Sequence, residues 1–230
     1  MEVFPKVIRI ARMGGMYNSY VVRGERKSIL VDTGLPGSEK AILNVLKKND
    51  ITLDAVSLIL ITHGHIDHFG SAKALKELTA APIAIHGNDI EGPRQGTPVF
   101  MRPQGSVGKA MDIWFSRQRV EPISVDIELK GGESLLEFGI NGKIVHTPGH
   151  TPGSISIVLS KEAIIGDMAV GQWFLSKKPA KQHLFCWNPQ VNKNKLIRLI
   201  NDYPIEILYS GHGGPLGSKE VLDQIFKGVN

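Results

Sequence analysis

Residues 62–68 read Thr62-His63-Gly64-His65-Ile66-Asp67-His68, which places three imidazoles and one carboxylate within six residues. The preceding run from Ala55 to Ile61 is short and rich in branched apolar side chains, so it predicts a buried strand. The segment from Gly70 to Ala80 predicts a helix, and Gly64 leaves room for a crowded cluster. The apolar stripe of this helix consists of Ala72, Leu75 and Leu78. We therefore expect the donors in a loop between two rigid elements.

These four donors are too close together in sequence to bind one ion comfortably. Steric strain disfavours a tetrahedral site built from four such neighbours, so the sequence predicts that they divide between two ions. Further ligands must then come from other loops. Three candidates each follow an apolar, strand-like run, and they are His150, Asp167 and His212.

The order of these donors resembles that of a known family. His-x-His-x-Asp-His at 63–68, Pro-Gly-His-Thr-Pro-Gly at 148–153, Gly-Asp at 166–167 and Gly-His at 211–212 are similar to the motifs of the metallo-β-lactamase superfamily. Asn18-Ser-Tyr-Val-Val22 and Leu30-Val-Asp-Thr-Gly34 resemble its opening hairpin, and the match spans residues 18 to 215. The resemblance implies an α/β fold, a four-layer αβ/βα sandwich in which two mixed sheets pack face to face with helices outside.

The resemblance also implies a role for each donor. Metal 1 would be bound by His63, His65, His150 and Asp167, and metal 2 by Asp67, His68, Asp167 and His212, so that Asp167 bridges the two ions. Asp32 would lie beneath the site and orient a histidine, because metal-bound imidazoles need a partner on the other nitrogen. The alternative for Asp32 is a simple turn residue before Thr33-Gly34.

Two divalent ions held in this way indicate hydrolytic chemistry. A water shared by two dications can lose its proton near neutral pH and attack a carbonyl or phosphoryl centre. Asp67 is a candidate for passing a proton to the leaving group, with the plain ligand role as the alternative. The sequence thus predicts a dinuclear hydrolase whose bridging hydroxide attacks a small ester-like substrate, a thioester or lactone. Zinc is the expected metal, with iron or manganese as alternatives.

Comparison with individual branches of the superfamily leaves two further hypotheses. The ligand set is similar to that of glyoxalase II, but only 18 residues follow His212, so we expect the helical C-terminal domain of that enzyme to be absent. Zinc β-lactamases of the commonest type carry a cysteine at the position of Asp167, so we do not expect hydrolysis of β-lactam antibiotics. The alternatives are an iron-dependent redox enzyme that resembles persulfide dioxygenases, and a non-catalytic metal-binding module.

Substrate contacts are predicted from aromatic residues that lie close to the ligands in sequence. Phe69, Trp114 and Trp173 are candidates for the wall of an apolar pocket, although aromatic side chains are more often part of the core. We expect one domain over residues 1–230, with an insertion or lid at about 88–121 that contains a helix from Ser106 to Arg119.

Three other histidines and the cysteine fit no slot in this scheme. His86 and His146 each end a strand-like run, which favours a structural role. His183 and Cys186 have a metal-like spacing, but two donors alone do not close a site. We therefore leave all four residues out of the predicted site.

Composition is that of a compact globular enzyme, for which we expect a small-molecule substrate. The chain of 230 residues is 42% hydrophobic and 21% charged, with a net charge of +5. It lacks the aromatic and basic interleaving of nucleic-acid binders, and no apolar run has the length of a signal-peptide core or of a membrane span. With one cysteine, which excludes an internal disulfide, we expect a cytoplasmic protein. The oligomeric state stays open.

The remaining elements follow from periodicity and punctuation. Ser38 predicts the N-cap of a helix that ends at Lys48. Two more helices are predicted at 191–201 and 218–227. The predicted strands are 19–23, 28–31, 82–86, 123–129, 134–138, 143–146, 154–159, 163–165 and 205–209.

Overall fold

A computed structural model describes residues 5–100, 102–171 and 181–227. The first half of the chain forms a mixed sheet of six strands in the order β1-β2-β3-β4-β5-β6. Strands β1 to β3 are antiparallel, and β3 to β6 run parallel. The strands are β1 (Lys6–Arg12), β2 (Tyr17–Arg23), β3 (Ser28–Val31), β4 (Val56–Leu60), β5 (Ile83–His86) and β6 (Ile127–Leu129).

The second half forms a mixed sheet of five strands in the order β11-β10-β9-β8-β7. Only β9 and β10 pair in parallel, whereas the other neighbours are antiparallel. The strands are β7 (Lys143–His146), β8 (Ile155–Leu159), β9 (Glu162–Ile164), β10 (Ile207–Tyr209) and β11 (Leu216–Gly217).

Helices accompany both sheets, and two of them are single turns. They are α1 (Glu39–Lys48), α2 (Ile66–Phe69), α3 (Ala72–Thr79), α4 (Glu91–Arg94), α5 (Gly105–Phe115), α6 (Pro189–Asp202) and α7 (Ser218–Lys227). The short helix α2 begins inside the donor motif. It therefore fixes the backbone of Asp67 and His68. None of the helices in the described ranges combines the length and apolar character that a membrane span needs.

The alternation of side chains along the strands produces four layers. In β3, Leu30 points to a cluster that also contains side chains of α1 and α3, whereas Ile29 and Val31 point to a second cluster shared with β7, β8 and β9. In β8, Val158 faces a third cluster that contains α6 and α7. The two sheets therefore pack face to face with helices on both outer sides, as predicted.

Several details of the predicted elements are wrong. Residues 134–138 do not form a strand; instead Leu136–Phe138 is a 3-10 turn that ends at Gly139 with φ of 79°. Leu78 is 46% exposed, because Thr79 takes the inward position two turns after Ala72. The side chain of Ser38 makes no hydrogen bond that caps α1.

The segment at 88–121 divides into two structurally different parts. Its first part packs beneath the donor motif, where Val99 donates its N–H to the carbonyl of Gly64 at 2.9 Å. A Cβ on Gly64 would lie 2.5 Å from Val99 Cγ1, so this glycine makes room for the segment. The second part contains α5, which ends at Phe115, four residues before the predicted end, and buries only Gly108. The interpretation as a lid stays a prediction.

Candidate metal centre

Three imidazoles converge at the edge where the two sheets meet. His63 and His65 follow β4, and His150 follows β7. Their nitrogens His63 Nε2, His65 Nδ1 and His150 Nε2 lie 3.0–3.1 Å from one another. Nitrogens at the corners of a zinc tetrahedron with bonds of about 2.0–2.1 Å are separated by about 3.3 Å. The spacing of the first donor group therefore suits one small cation.

A second group lies beside the first and contains Asp67, His68 and His212. His212 Nε2 is 3.4 Å and His68 Nε2 is 3.8 Å from Asp67 Oδ2. Asp167, which follows β9, lies between the groups: its Oδ2 is 3.5 Å from His150 Nε2 and 3.0 Å from His212 Nε2. The structure thus brings together all seven donors that the sequence predicts, with Asp167 in the shared position.

Asp32, which the sequence predicts beneath the site, contacts a donor of the second group. It is buried, and its Oδ2 accepts hydrogen bonds of 2.8 Å from His68 Nδ1 and from Thr62 Oγ1. Its Oδ1 accepts the backbone N–H of Thr62, also at 2.8 Å. With the proton of His68 on Nδ1, the lone pair of Nε2 faces the second group.

The loop that carries His212 is held by the first strands of the chain. Asn18 Nδ2 donates to the carbonyls of Ser210 and Gly213 at 2.8 Å, and the hydroxyl of Tyr20 donates to Ser210 at 2.6 Å. His212 Nδ1 donates to the carbonyl of Met16, which leaves Nε2 directed at Asp167. The resemblance of residues 18–22 to an opening hairpin therefore has a structural basis.

Asp89 is a positioning residue that the sequence did not reveal. It is fully buried, and it accepts the N–H of Gly64 at 2.9 Å, the Thr151 hydroxyl at 2.6 Å and the N–H of Gly153 at 2.7 Å. Its carboxylate thus joins the loop of His65 to the loop of His150. Burial raises the pKa of Asp89, although these three donors oppose the rise.

The first donor group is electrically neutral. Burial lowers the pKa of His63 and His150 well below the ordinary value, and it lowers the pKa of His65 to about 3. A neutral imidazole is the form that binds a metal ion. Burial, together with the neighbouring imidazoles, therefore keeps this group in the form that binds a metal ion.

The second group carries charge. Burial opposes protonation of His68 and His212, but the carboxylates around them outweigh it. Asp32 and Asp167 raise the pKa of His68, and Asp167 raises the pKa of His212 to about 9. Burial would raise the pKa of Asp167, yet His212 and His68 hold it well below its usual range.

Two buried atoms show that this donor set fits a cation. His68 Nε2 and Asp167 Oδ1 lie 3.5 Å apart, and neither has a hydrogen-bond partner. Buried polar atoms without partners are costly, and a cation held between these two atoms would give both of them a partner. Gly211 makes this approach possible, because a Cβ there would overlap Asp167 Oδ1 and lie 2.7 Å from His68 Cε1.

His183 belongs to the site, so its exclusion on sequence grounds was wrong. Its Nε2 is 3.8 Å from Asp167 Oδ2, and its ring stacks on His212 with centroids 5.0 Å apart. The N–H of Phe185 lies 3.1 Å from its Nδ1, which directs Nε2 into the site. Cys186 does not join it, because its buried thiol donates to the carbonyl of Gly149. The position of His183 follows from the fold and has no local motif.

His86 and His146 lie outside the site. Their rings stack with centroids 4.0 Å apart, and each bonds to a backbone carbonyl, His86 to Lys130 and His146 to Pro152. Both rings therefore connect loops within the scaffold, in line with the structural role that the sequence favoured.

A cleft of about 470 Å³ opens directly above the donors. Trp114 lines it together with Asp67, His183 and His212. The expectation for Phe69 is wrong: its ring is fully buried in the core cluster that α1 and α3 share with the first sheet. Trp173, the third predicted contact, lies outside the described residues.

Comparison with known proteins identifies similar chains. A family model described as the metallo-beta-lactamase superfamily matches residues 12–165, which include five of the seven donors. A probable metallo-hydrolase of Methanocaldococcus jannaschii is 30% identical over 90% of this chain and 92% of its own length. The probable metallo-hydrolase YflN of Bacillus subtilis is 26% identical over 88% and 81%. Hydroxyacylglutathione hydrolase GloC of Haemophilus influenzae is 28% identical over 63% and 62%.

Solved structures agree on the fold. The BLEG-1 B3 metallo-beta-lactamase superposes with a TM-score of 0.72 at 22% identity, covering 95% of this chain and 97% of its own. A metallo-beta-lactamase family protein of Thermus thermophilus superposes with a TM-score of 0.70 at 22% identity, covering 97% and 79%. At this level of identity the likeness concerns the arrangement of the sheets and helices.

Proposed function

The chain belongs to the metallo-β-lactamase superfamily, and we propose that it is a dinuclear metal-dependent hydrolase of ester-like carbonyl compounds. One observation carries the proposal. Two donor groups, each able to hold one ion, share the carboxylate of Asp167. The names of the probable metallo-hydrolases of M. jannaschii and B. subtilis support the hydrolase class.

The donors suit two divalent ions. Metal 1 would be held by His63, His65 and His150, metal 2 by Asp67, His68 and His212, and Asp167 would bridge them. Imidazole and carboxylate ligands are typical of zinc, which we take as the metal, and iron and manganese accept the same ligands. When bound, two such ions supply a hydroxide nucleophile at neutral pH and a Lewis acid for the developing oxyanion.

Three side chains at the site would have separate roles in proton transfer, ligand orientation and substrate contact. Asp67 has 29% of its side chain exposed toward the cleft, so it can hold a proton for the leaving group as well as bind a metal ion. The buried Asp32 holds His68 in one orientation and takes no part in contact with the substrate. His183 lies at the floor of the cleft, where it can contact the carbonyl group.

The bond that we propose for cleavage is an ester, a thioester or a lactone. The Haemophilus relative is named a hydroxyacylglutathione hydrolase, which is a thioester hydrolase, and its match covers 63% of this chain. The cleft above the donors has the volume of a small-molecule site. A small acyl compound therefore fits both observations.

Metal analysis and turnover on one sample test the proposal. We expect two ions per chain, hydrolysis of at least one compound in a panel of thioesters, lactones and esters, and loss of both properties in Asp167→Ala. Asp202→Ala, which removes an exposed carboxylate of α6, is the matched control and keeps both. Unchanged metal content in Asp167→Ala would refute the shared carboxylate. A content of one iron per chain together with oxygen uptake would contradict the hydrolase and support the iron-dependent redox enzyme.

A further inference from the structure

An unbroken series of aromatic rings leads from the surface to the donors. The rings of Trp114 and Phe115 have centroids 4.9 Å apart, and Phe115 is 5.8 Å from Phe185. Phe185 is 5.8 Å from the ring of His183, which in turn lies 5.0 Å from His212. One wall of the cleft is therefore aromatic from its mouth to its floor.

The rest of the cleft is also largely apolar. Met16, Leu35 and Ile66 also line it. Among the described residues that line the cleft away from the donors, the only charged side chain is Lys181, which is exposed at the rim. Such a lining binds a hydrocarbon chain more favourably than an anionic substituent.

The mouth of the cleft leaves large apolar side chains in water. Trp114 is 65% exposed and Met111 is 37% exposed. Exposed apolar patches of this kind mark ligand grooves or docking surfaces, because contact with water is unfavourable for them. Here the patch is continuous with the cleft, and the cleft ends on Asp67 and His212. A molecule that fills this cleft lies next to the donors, which is the position of a substrate.

We propose that the cleft binds the apolar acyl chain of the substrate along the wall formed by Trp114, Phe115 and Phe185, so that compounds with longer acyl chains are preferred. The inference rests on the proposed function for the position of the carbonyl group at the donors. Binding of the chain itself does not depend on turnover. This difference allows the two proposals to be tested separately.

The first measurement is calorimetric binding of acetate, hexanoate and decanoate to the zinc-loaded protein. Burial of one methylene group changes affinity about fourfold. We expect the dissociation constant to fall by about that factor per methylene until the cleft is filled. Equal affinity for acetate and decanoate would overturn the inference.

Two substitutions on the same helix locate the effect. Trp114→Ala removes an exposed ring that lines the cleft, and we expect the ratio of decanoate to acetate affinity to fall about tenfold. Ile113→Ala is the matched control, because Ile113 is 62% exposed and lies outside the lining. Equal losses in both variants would place the binding surface on the outer face of α5 and would overturn the inference.

Turnover of acetyl, hexanoyl and decanoyl thioesters then separates the two proposals. An increase in kcat/KM with the length of the acyl chain supports both the hydrolase and the acyl cleft. Chain-length-dependent binding without any hydrolysis supports the acyl cleft and contradicts the hydrolase. Hydrolysis with the same kcat/KM for every chain, together with equal carboxylate affinities, supports the hydrolase and contradicts the acyl cleft.

Discussion

At the scale of single residues, Asp32 determines which nitrogen of His68 faces the metal centre. Its backbone adopts φ of 58°, a left-handed conformation that Asp and Asn tolerate better than other residues with a side chain. From there both carboxylate oxygens accept hydrogen bonds, from Thr62 and from His68. A carboxylate can accept from every side, and no other side chain of this size can do so.

Asp32→Asn tests this role without changing shape or backbone preference. With the Asn oxygen accepting the N–H of Thr62, its NH2 group would face both His68 Nδ1 and Thr62 Oγ1 and would favour a proton on His68 Nε2, where the lone pair is needed. We expect affinity for the second ion to fall about 10- to 100-fold, measured by metal titration. Asp54→Asn changes an exposed carboxylate and should leave the titration as in the wild type. Wild-type affinity in Asp32→Asn would contradict the orienting role.

The donors were predictable because their chemistry is local or ordered along the chain. Four of them lie within six residues, and the other three follow strand-like runs. His183 and Asp89 were missed for the opposite reason. His183 lies 16 residues after Asp167 and approaches it only through the tertiary fold, and Asp89 acts through backbone groups of two distant loops. Neither role leaves a spacing that can be recognised in the sequence.

At the scale of elements, the first donor group depends on the joining of two loops. The loop after β4 carries His63 and His65, and the loop after β7 carries His150. Asp89, in the turn after β5, bonds to both. The buried N–H groups of Gly64 and Gly153 would lose their partner without it, whereas the Thr151 hydroxyl also contacts Ser154 Oγ at 2.6 Å.

Asp89→Asn keeps the volume but cannot accept all three hydrogen bonds. One NH group would be left facing another, at a cost of about 1–3 kcal/mol. For a chain of this length we expect Tm to fall by roughly 2–12 °C. Beyond this loss of stability, affinity for the first ion should fall more than affinity for the second. Asp223→Asn, an exposed carboxylate of α7, is the control. Equal losses of affinity for both ions would indicate a purely structural role.

Strands were predicted correctly where apolar runs are long. The prediction failed where strand formation depends on pairing with a neighbouring strand. The buried strand β4 and the helix α7 follow from their patterns. By contrast, β1 alternates charged and apolar residues and was not recognised, because an edge strand is only half buried. Residues 134–138 have strand composition, yet only Ser134 finds a partner, Lys143. Residues Leu136–Phe138 instead form the 3-10 turn that ends at Gly139.

At the scale of the whole molecule, the donors connect the ends of two sheets. His63 to His68 follow a strand of the first sheet, whereas His150, Asp167 and His212 follow strands of the second. Bound ions would therefore link the two halves of the sandwich. Any ligand that binds the folded state more tightly than the unfolded chain raises stability by mass action.

Removal of metal should accordingly lower the melting temperature. An ion present at a thousandfold excess over its dissociation constant contributes about 4 kcal/mol. For a chain of this length that corresponds to a fall in Tm of roughly 8–16 °C on treatment with a chelator, measured by calorimetry. Restoration of Tm by added zinc is the control for direct effects of the chelator. An unchanged Tm in protein shown to be metal-free would contradict a link between the sheets.

The exposure of helix α5 affects how readily the sequence around the cleft can change in evolution. Of its eleven residues only Gly108 is buried, so substitutions at its exposed positions, which include Met111 and Trp114, should alter stability by less than about 0.5 kcal/mol. The same helix contributes Met111, Trp114 and Phe115 to the cleft. New side chains there would alter selectivity while the donors stay in place. If the cleft binds the substrate as proposed, substrate range can diverge quickly among descendants of this chain, because Met111 and Trp114 are nearly free of folding constraints.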